Sequence, residues 1–369
     1  MCTGIRLIAA DGTVVHARTM EFGVDLRSEV IVVPVGYERY GTVPATKENN
    51  LDGAGKGAKW TAKYACVGAN GFGMDVIVDG LNSAGLAAGI FYFPTSAGYM
   101  SYTEEDASRT IAPWELGSWI LEQHATVDEV RTKIKNLVVA DVVFEEMGFA
   151  PPVHVVVHDA SGQSIVIEYV KGKLNVHNNP LGVMSNSPAF DWHMTNLRNY
   201  LNFSTTNLHP LELKVPPYIT EEGIEKDTVK IEPFGQGTGM LGMPGDLTPP
   251  SRFVRAVAFS RSILPELLET GRDAVLQAFH ILNNFDIPKG VAREPHGEKV
   301  EADYTIWTSV NDLKEKRFFF RTYNNSQIRV VNLMEAEINA SYISKYPMGG
   351  KEDREEFTTV TPTPAASPR

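Results

Sequence analysis

Cysteine is scarce in this chain: 369 residues contain only Cys2 and Cys66. Two thiols cannot build a disulfide framework, and they exclude a thiolate-rich zinc or iron–sulfur centre. Long hydrophobic runs are missing too. None approaches the roughly 20 residues needed to cross a bilayer, so no membrane partner is expected. The first residues lack a basic stretch followed by an apolar core, so no secretion signal is visible. The expected compartment is the cytoplasm, or the periplasm or exterior if a leader has been removed. Lys and Arg do not cluster beside aromatic residues and the net charge is −11, which argues against nucleic acid.

Several catalytic signatures are also absent. There is no H-E-x-x-H, and His154 and His158, four apart in a strand-like run, have no third ligand, so no metal is expected. No G-x-S-x-G elbow is present. Gly237-Thr-Gly-Met-Leu-Gly242 has the spacing of a dinucleotide fingerprint, but Pro233 precedes it and Pro244 and Pro249 follow. That segment reads as a loop rather than a strand-to-helix turn, and no cofactor is expected.

What remains is an ordinary globular composition, 43% hydrophobic and 21% charged. Strands are predicted first, at Gly4–Ala9 and Val14–Met20 around an Asp11-Gly12 turn, then at 30–34, 60–67, 74–78 and 85–92. Helices follow at 112–124 and from an N-cap at Thr126. Strands return at 152–158, 164–170, 174–176 and 182–184. A long irregular segment spans 185–245, helices resume at 251–264 and 271–282, and strands close the chain at 304–310, 317–322 and 328–332. Residues 1–350 read as one layered domain in which two sheets pack face to face under helices. A disordered tail is expected over 351–369, Glu-rich and then Pro-rich.

The chemistry concentrates at Cys2. Loss of Met1 would give this residue a free amine beside its thiol. An α-amine titrates near 7.7–8.0 and a thiol near 8.5, so the amine can accept the thiol's proton without a histidine. With Asp11-Gly12 as a two-residue hairpin loop, paired residue numbers sum to 23 and Cys2 lies opposite Glu21, whose carboxylate could hold the α-ammonium. In that register Arg18 points to the other face, and a bulge or twist is needed to bring it to the sulfur, where it would hold a thiolate.

A series of motifs extends this reading. Met1-Cys-Thr-Gly4, Arg18-Thr-Met-Glu21, Gly80-Leu-Asn-Ser-Ala-Gly-Leu86, Ser185-Asn-Ser-Pro188 with Phe190-Asp-Trp-His193, and Gly235-Gln-Gly-Thr-Gly239 leading to Pro244-Gly-Asp246 and Ser251-Arg-Phe253 occur in order. The set resembles the choloylglycine hydrolase family of bile salt hydrolases and penicillin V acylases, over residues 2 to about 335. The resemblance implies an α+β fold, the four-layer αββα sandwich of N-terminal nucleophile (Ntn) hydrolases with two mostly antiparallel sheets. It implies hydrolysis of a linear amide with an apolar acyl group, a conjugated bile acid or a phenoxyacetyl penicillin. N-acyl homoserine lactones are an alternative, and a class II glutamine amidotransferase-like glutaminase a more distant one.

Carried over residue by residue, the resemblance makes Cys2 the nucleophile and base and Arg18 its neighbouring arginine. Glu21 stands where the family has Asp. Asn186 becomes an oxyanion donor that also contacts the Cys2 amine, and Arg252 a supporting arginine. Tyr92 falls where bile salt hydrolases carry asparagine and penicillin V acylases often carry tyrosine. The resemblance also implies a homotetramer, with an extended segment over residues 189–217 reaching a neighbouring copy.

Overall fold

The computed structural model describes residues 1–47, 52–296 and 299–349. Two antiparallel sheets dominate it. The first runs in the order β1 (Cys2–Ile8), β2 (Val14–Phe22), β13 (Lys299–Asp312), β14 (Arg317–Thr322) and β15 (Asn325–Asn332), with β12 (Ala292–His296) pairing onto the outer part of β13. The second contains β3 (Glu29–Val33), β4 (Cys66–Ala69), β5 (Asp79–Asn82), β6 (Leu86–Tyr92), β7 (Val153–Asp159), β8 (Ser164–Val170), β9 (Lys173–Asn178) and β16 (Ser344–Pro347). Its spatial order is β9-β8-β7-β6-β5-β4-β3-β16.

Strand alternation explains the stacking. In β3, Val30 and Val32 join the core between the sheets, whereas Ile31 and Val33 join a second core on the outer face. Val156 and Val166 face inward in the same way, with Val155, Val157, Ile165 and Ile167 outward. Helices α1 (Leu116–Gln123) and α2 (Val127–Lys133) cover that outer face. Helices α4 (Pro249–Arg261) and α5 (Gly271–Leu282) cover the first sheet, and α3 (Phe190–Asn196) precedes α4 in the chain. The layers are therefore helix, sheet, sheet, helix: an α+β, αββα sandwich.

The sequence reading departs from this structure in several places, and the strand expected over 60–67 is split into Lys59–Thr61 and Cys66–Ala69 in different sheets. Residues 185–245 are not wholly irregular, because β10 (Leu211–Ile219) and β11 (Glu225–Ile231) form a separate two-stranded ribbon. The strand expected over 74–78 lies instead at Asp79–Asn82, and 182–184 contributes only a bridge from Met184 to Gly4. The first hairpin has a three-residue loop, Ala10-Asp11-Gly12, closed by an Ala9 N–H to Thr13 carbonyl bond with Gly12 at φ 82°. The ladder therefore pairs Cys2 with Met20 and Gly4 with Arg18. The tail expected over 351–369 lies outside the described residues.

Candidate active site

A one-residue change of register turns every side chain of a strand to the opposite face. Here it removes any need for a bulge. Cys2, Arg18 and Met20 share the face between the sheets, and Glu21 faces the helices. Arg18 sits diagonally across the ladder from Cys2, with Nη2 donating to Sγ over 2.7 Å. A second guanidinium nitrogen donates to the Ile90 carbonyl, Nε donates to the Thr19 carbonyl at 3.2 Å, and the Phe91 ring lies 4.2 Å from the guanidinium carbon. Both residues are buried, Cys2 to 2% exposure and Arg18 to 0%. Gly4 makes room for this arrangement, since a Cβ there would come within 2.6 Å of the Phe91 ring.

β1 is the edge strand of its sheet, and residues 184–186 run along that edge. Gly4 and Met184 exchange both backbone hydrogen bonds, at 2.8 and 2.9 Å. Two residues further on, Asn186 Oδ1 accepts from the Cys2 backbone N–H at 2.8 Å and from Arg252 Nη2 at 2.6 Å. Two donors on that oxygen fix the amide's orientation. Its Nδ2 donates to the Tyr92 carbonyl at 2.6 Å, which leaves one N–H of the amide for another acceptor. Arg252, from the first turn of α4, also donates to the Cys2 carbonyl and to Thr3 Oγ1 at 2.7 Å. Four of the five other expected residues, Arg18, Tyr92, Asn186 and Arg252, thus meet around Cys2.

Glu21 departs from expectation. Its backbone, not its carboxylate, holds Met1: the Met1 ammonium donates to the Glu21 carbonyl at 2.7 Å. The carboxylate lies on the helix side of the sheet, where Oε1 accepts from Thr305 Oγ1 at 3.1 Å and Oε2 is buried without a partner. Burial pushes this carboxyl up from its ordinary value, with the Met1 ammonium and Arg252 pulling the other way.

Three further side chains hold the Asn186 loop and escape a reading based on spacing. His193, on α3, donates from Nε2 to the Asn186 carbonyl at 2.8 Å and stacks on Phe253 at 4.7 Å. Burial lowers its pKa to about 4, so it is neutral at pH 7. His154 bridges the Ser185 carbonyl at 3.0 Å and Glu168 at 3.1 Å, and Glu168 also accepts the Phe190 N–H at 3.0 Å. Burial would raise Glu168, but hydrogen bonds from His154 and His177 outweigh it and bring the carboxyl down to about 2. The only outward sign of these roles was the placement of Phe190 and His193 three residues apart, one helical turn after Ser185-Asn-Ser-Pro188. His158 has a different environment, packed 5.0 Å from His16, which pairs with Asp79 at 2.8 Å between the sheets. Among the described residues no His, Cys, Asp and Glu cluster could hold a metal ion.

The thiol opens onto an apolar pocket. Its walls are Phe22, Phe72, Tyr92, Trp114 and Phe144, with the flexible side chains Met20, Met74 and Met147 between them. Phe22 meets Tyr92 edge-on at 5.9 Å, and Phe144 packs on Phe72 at 5.2 Å and Trp114 at 5.4 Å. A lining of this character suits an apolar group.

An αββα sandwich whose first strand begins at a buried cysteine is the architecture of an Ntn hydrolase. The chain belongs to the linear amide C–N hydrolases of the choloylglycine hydrolase family, which it matches over residues 2–346. It is 31% identical over 352 residues to the bile salt hydrolase/transferase of Clostridium perfringens, covering 94% of this chain and 96% of that one. It is 26% identical over 339 residues to the penicillin V acylase of Pectobacterium atrosepticum, covering 86% and 77%. The crystal structure of a variant of conjugated bile acid hydrolase from Clostridium perfringens matches with a TM-score of 0.76 at 28% identity, covering 98% of this chain and all (100%) of that one. No described helix is long and apolar enough to cross a membrane.

Proposed function

We propose that the mature protein, with Met1 removed, hydrolyses small-molecule amides through Cys2. The freed amine takes the thiol proton and the sulfur attacks the amide carbonyl carbon. Arg18 carries the charge on sulfur before the S–C bond forms. The remaining Nδ2–H of Asn186 and a backbone N–H receive the oxyanion, with Tyr92 lining the hole. The C–N bond then breaks as the Cys2 ammonium protonates the leaving nitrogen. Water, giving its proton to the same amine, cleaves the thioester and releases the acid. Arg252 positions Cys2 and Asn186 through their oxygens. The observation that carries this reading is the 2.7 Å contact between Arg18 and the thiol at the floor of an apolar pocket.

The substrate pairs an apolar acyl group with a polar amine, as conjugated bile acids and penicillin V do. N-acyl homoserine lactones are a second reading, favoured by a pocket wall that is apolar apart from Cys2, Tyr92 and the Trp114 indole N–H. The same wall disfavours free glutamine, whose ammonium and carboxylate would be desolvated against it. Protein shown by intact mass to lack Met1 is offered glycocholate, penicillin V and a long-chain acyl homoserine lactone. Hydrolysis of at least one is expected, and inertness toward all three refutes the proposal. Ammonia release from glutamine would instead favour the glutaminase reading.

A homotetramer is part of the same proposal. Residues 1–350 act as one unit, and the neighbouring copy packs on the segment over residues 189–217 and on the β10–β11 ribbon. An isolated two-stranded ribbon is marginal in water. This one leaves Leu211, Leu213, Ile219, Ile224 and Ile231 exposed, and Leu201 earlier in the segment is 83% exposed. Light scattering that returns a single-chain mass would refute this assembly.

A further inference from the structure

The two halves of an amide substrate meet different surfaces at Cys2, and both surfaces constrain chemistry. The acyl half enters the apolar pocket, whose five aromatic and three methionine side chains offer a buried hydroxyl few polar partners, the Tyr92 phenol and the Trp114 indole N–H. An unpaired hydroxyl loses affinity there. The amine half must lie beside the Cys2 nitrogen, which hands it a proton, and so on the side where Met1 now stands.

That side is acidic. The Met1 ammonium sits 3.5 Å from Asp303 Oδ2. Asp303 and Glu301 are two apart on β13 and share a face, and Glu294 on β12 lies directly opposite Glu301 in the ladder. Like charges placed opposite one another destabilise a hairpin, so local stability does not account for this placement. The face lies against the end of β2, the strand that carries the Met1 contact. A Cβ at Gly23, just past the end of β2, would meet Asp303 Oδ1 at 3.1 Å and Glu301 Oε2 at 3.5 Å. The Tyr92 phenol is pushed up by burial and then by Glu294 and Asp303, so their field reaches the pocket mouth. The cations nearest the thiol, Arg18 and Arg252, are buried and already hydrogen-bonded. Once Met1 leaves, Asp303 loses its ammonium partner and faces the vacated place.

We infer that this enzyme selects N-acyl amides whose acyl half is free of hydroxyls and whose amine half carries no anion. Neutral and cationic amines are preferred to glycine-, taurine- or penicillin-like ones. The inference rests on the amidase reading and narrows it.

A matched set of decanoyl amides tests it: decanoylglycine, decanoylethanolamine and decanoyl-ethylenediamine, with cholyl and cholanoyl ethanolamides for the acyl half. The neutral and cationic decanoyl amides should exceed decanoylglycine in kcat/KM by about tenfold or more, and cholanoyl should exceed cholyl by a similar factor. Raising the salt concentration should narrow the first ratio, because the rim is solvent-accessible. The paired substitution Glu294→Gln with Glu301→Gln should narrow it as well. Decanoylglycine cleaved as fast as its neutral counterpart, or cholyl as fast as cholanoyl, overturns the inference and leaves the amidase intact. Inertness of every amide removes the amidase reading itself.

Discussion

Arg18 and Cys2 stand diagonally across the first ladder, nitrogen to sulfur 2.7 Å, with no bulge between them. The guanidinium is held from behind by the Ile90 carbonyl and the Phe91 ring, so it cannot swing away to solvent. A buried sulfur anion therefore has one cation in direct contact.

Arg18→Leu should lower kcat/KM by on the order of a hundredfold, because a charge-assisted contact to the Cys2 sulfur is lost in a dry site. Alkylation of Cys2 by iodoacetamide at neutral pH should slow in parallel. Unchanged alkylation in a folded variant would show that the arginine does not support the sulfur's charge.

Asn186→Ala removes an acceptor shared by the Cys2 N–H and Arg252, together with the donor to the Tyr92 carbonyl. The stability cost is about 1–3 kcal/mol for the buried groups left unpaired. The rate should fall by about a hundred- to a thousandfold if the amide also serves the oxyanion. Urea titration measures the first effect and steady-state kinetics the second. A stability loss without a rate loss would limit Asn186 to holding the strand edge.

Glu168 governs the acid limb of stability. Its folded pKa of about 2 lies below the ordinary value near 4.3, so its contribution is present at neutral pH and drains away as pH falls from about 5 toward 2. Glu168→Gln should be less stable at pH 7 and should lose less on acidification. Thermal melts at pH 3, 5 and 7 test this, and parallel curves for variant and wild type would count against it.

Glu21 acts with the opposite sign. Its folded pKa is raised, so stability is fullest below the unfolded value and declines as pH climbs through the folded one. Glu21→Gln should raise the melting temperature at pH 8 relative to wild type while changing it little at pH 4. A variant less stable at pH 8 would mean that the carboxylate is needed in its charged form.

Much of the architecture was legible because the strands obey a two-residue period with different partners on each face. Val155, Val156 and Val157 show this within three positions. The misplaced strand has a physical cause. Asp79-Gly-Leu-Asn82 has little strand propensity of its own, and Asp79 is held instead by His16, Ser309 and Asn311 from the opposite sheet. The β10–β11 ribbon was illegible because neither face is buried and Pro216-Pro217 interrupts it, with a register shift between Lys214 and Tyr218. Cys2 and Arg18 stood out by residue type. His154, Glu168 and His193 did not, because they act on backbone atoms of a loop distant in sequence, and no spacing rule encodes that contact.

The small turn at Ala10-Asp11-Gly12 begins eight residues along the chain from Cys2, about 26 Å of extended strand. It nevertheless settles which odd- or even-numbered side chains of the second strand meet the thiol. Were the loop Asp11-Gly12 alone, with Ala10 paired to Thr13, the two sets would exchange, bringing an acid to the thiol and sending the guanidinium among the helices. The reaction centre thus depends on a count kept at the far end of its own hairpin.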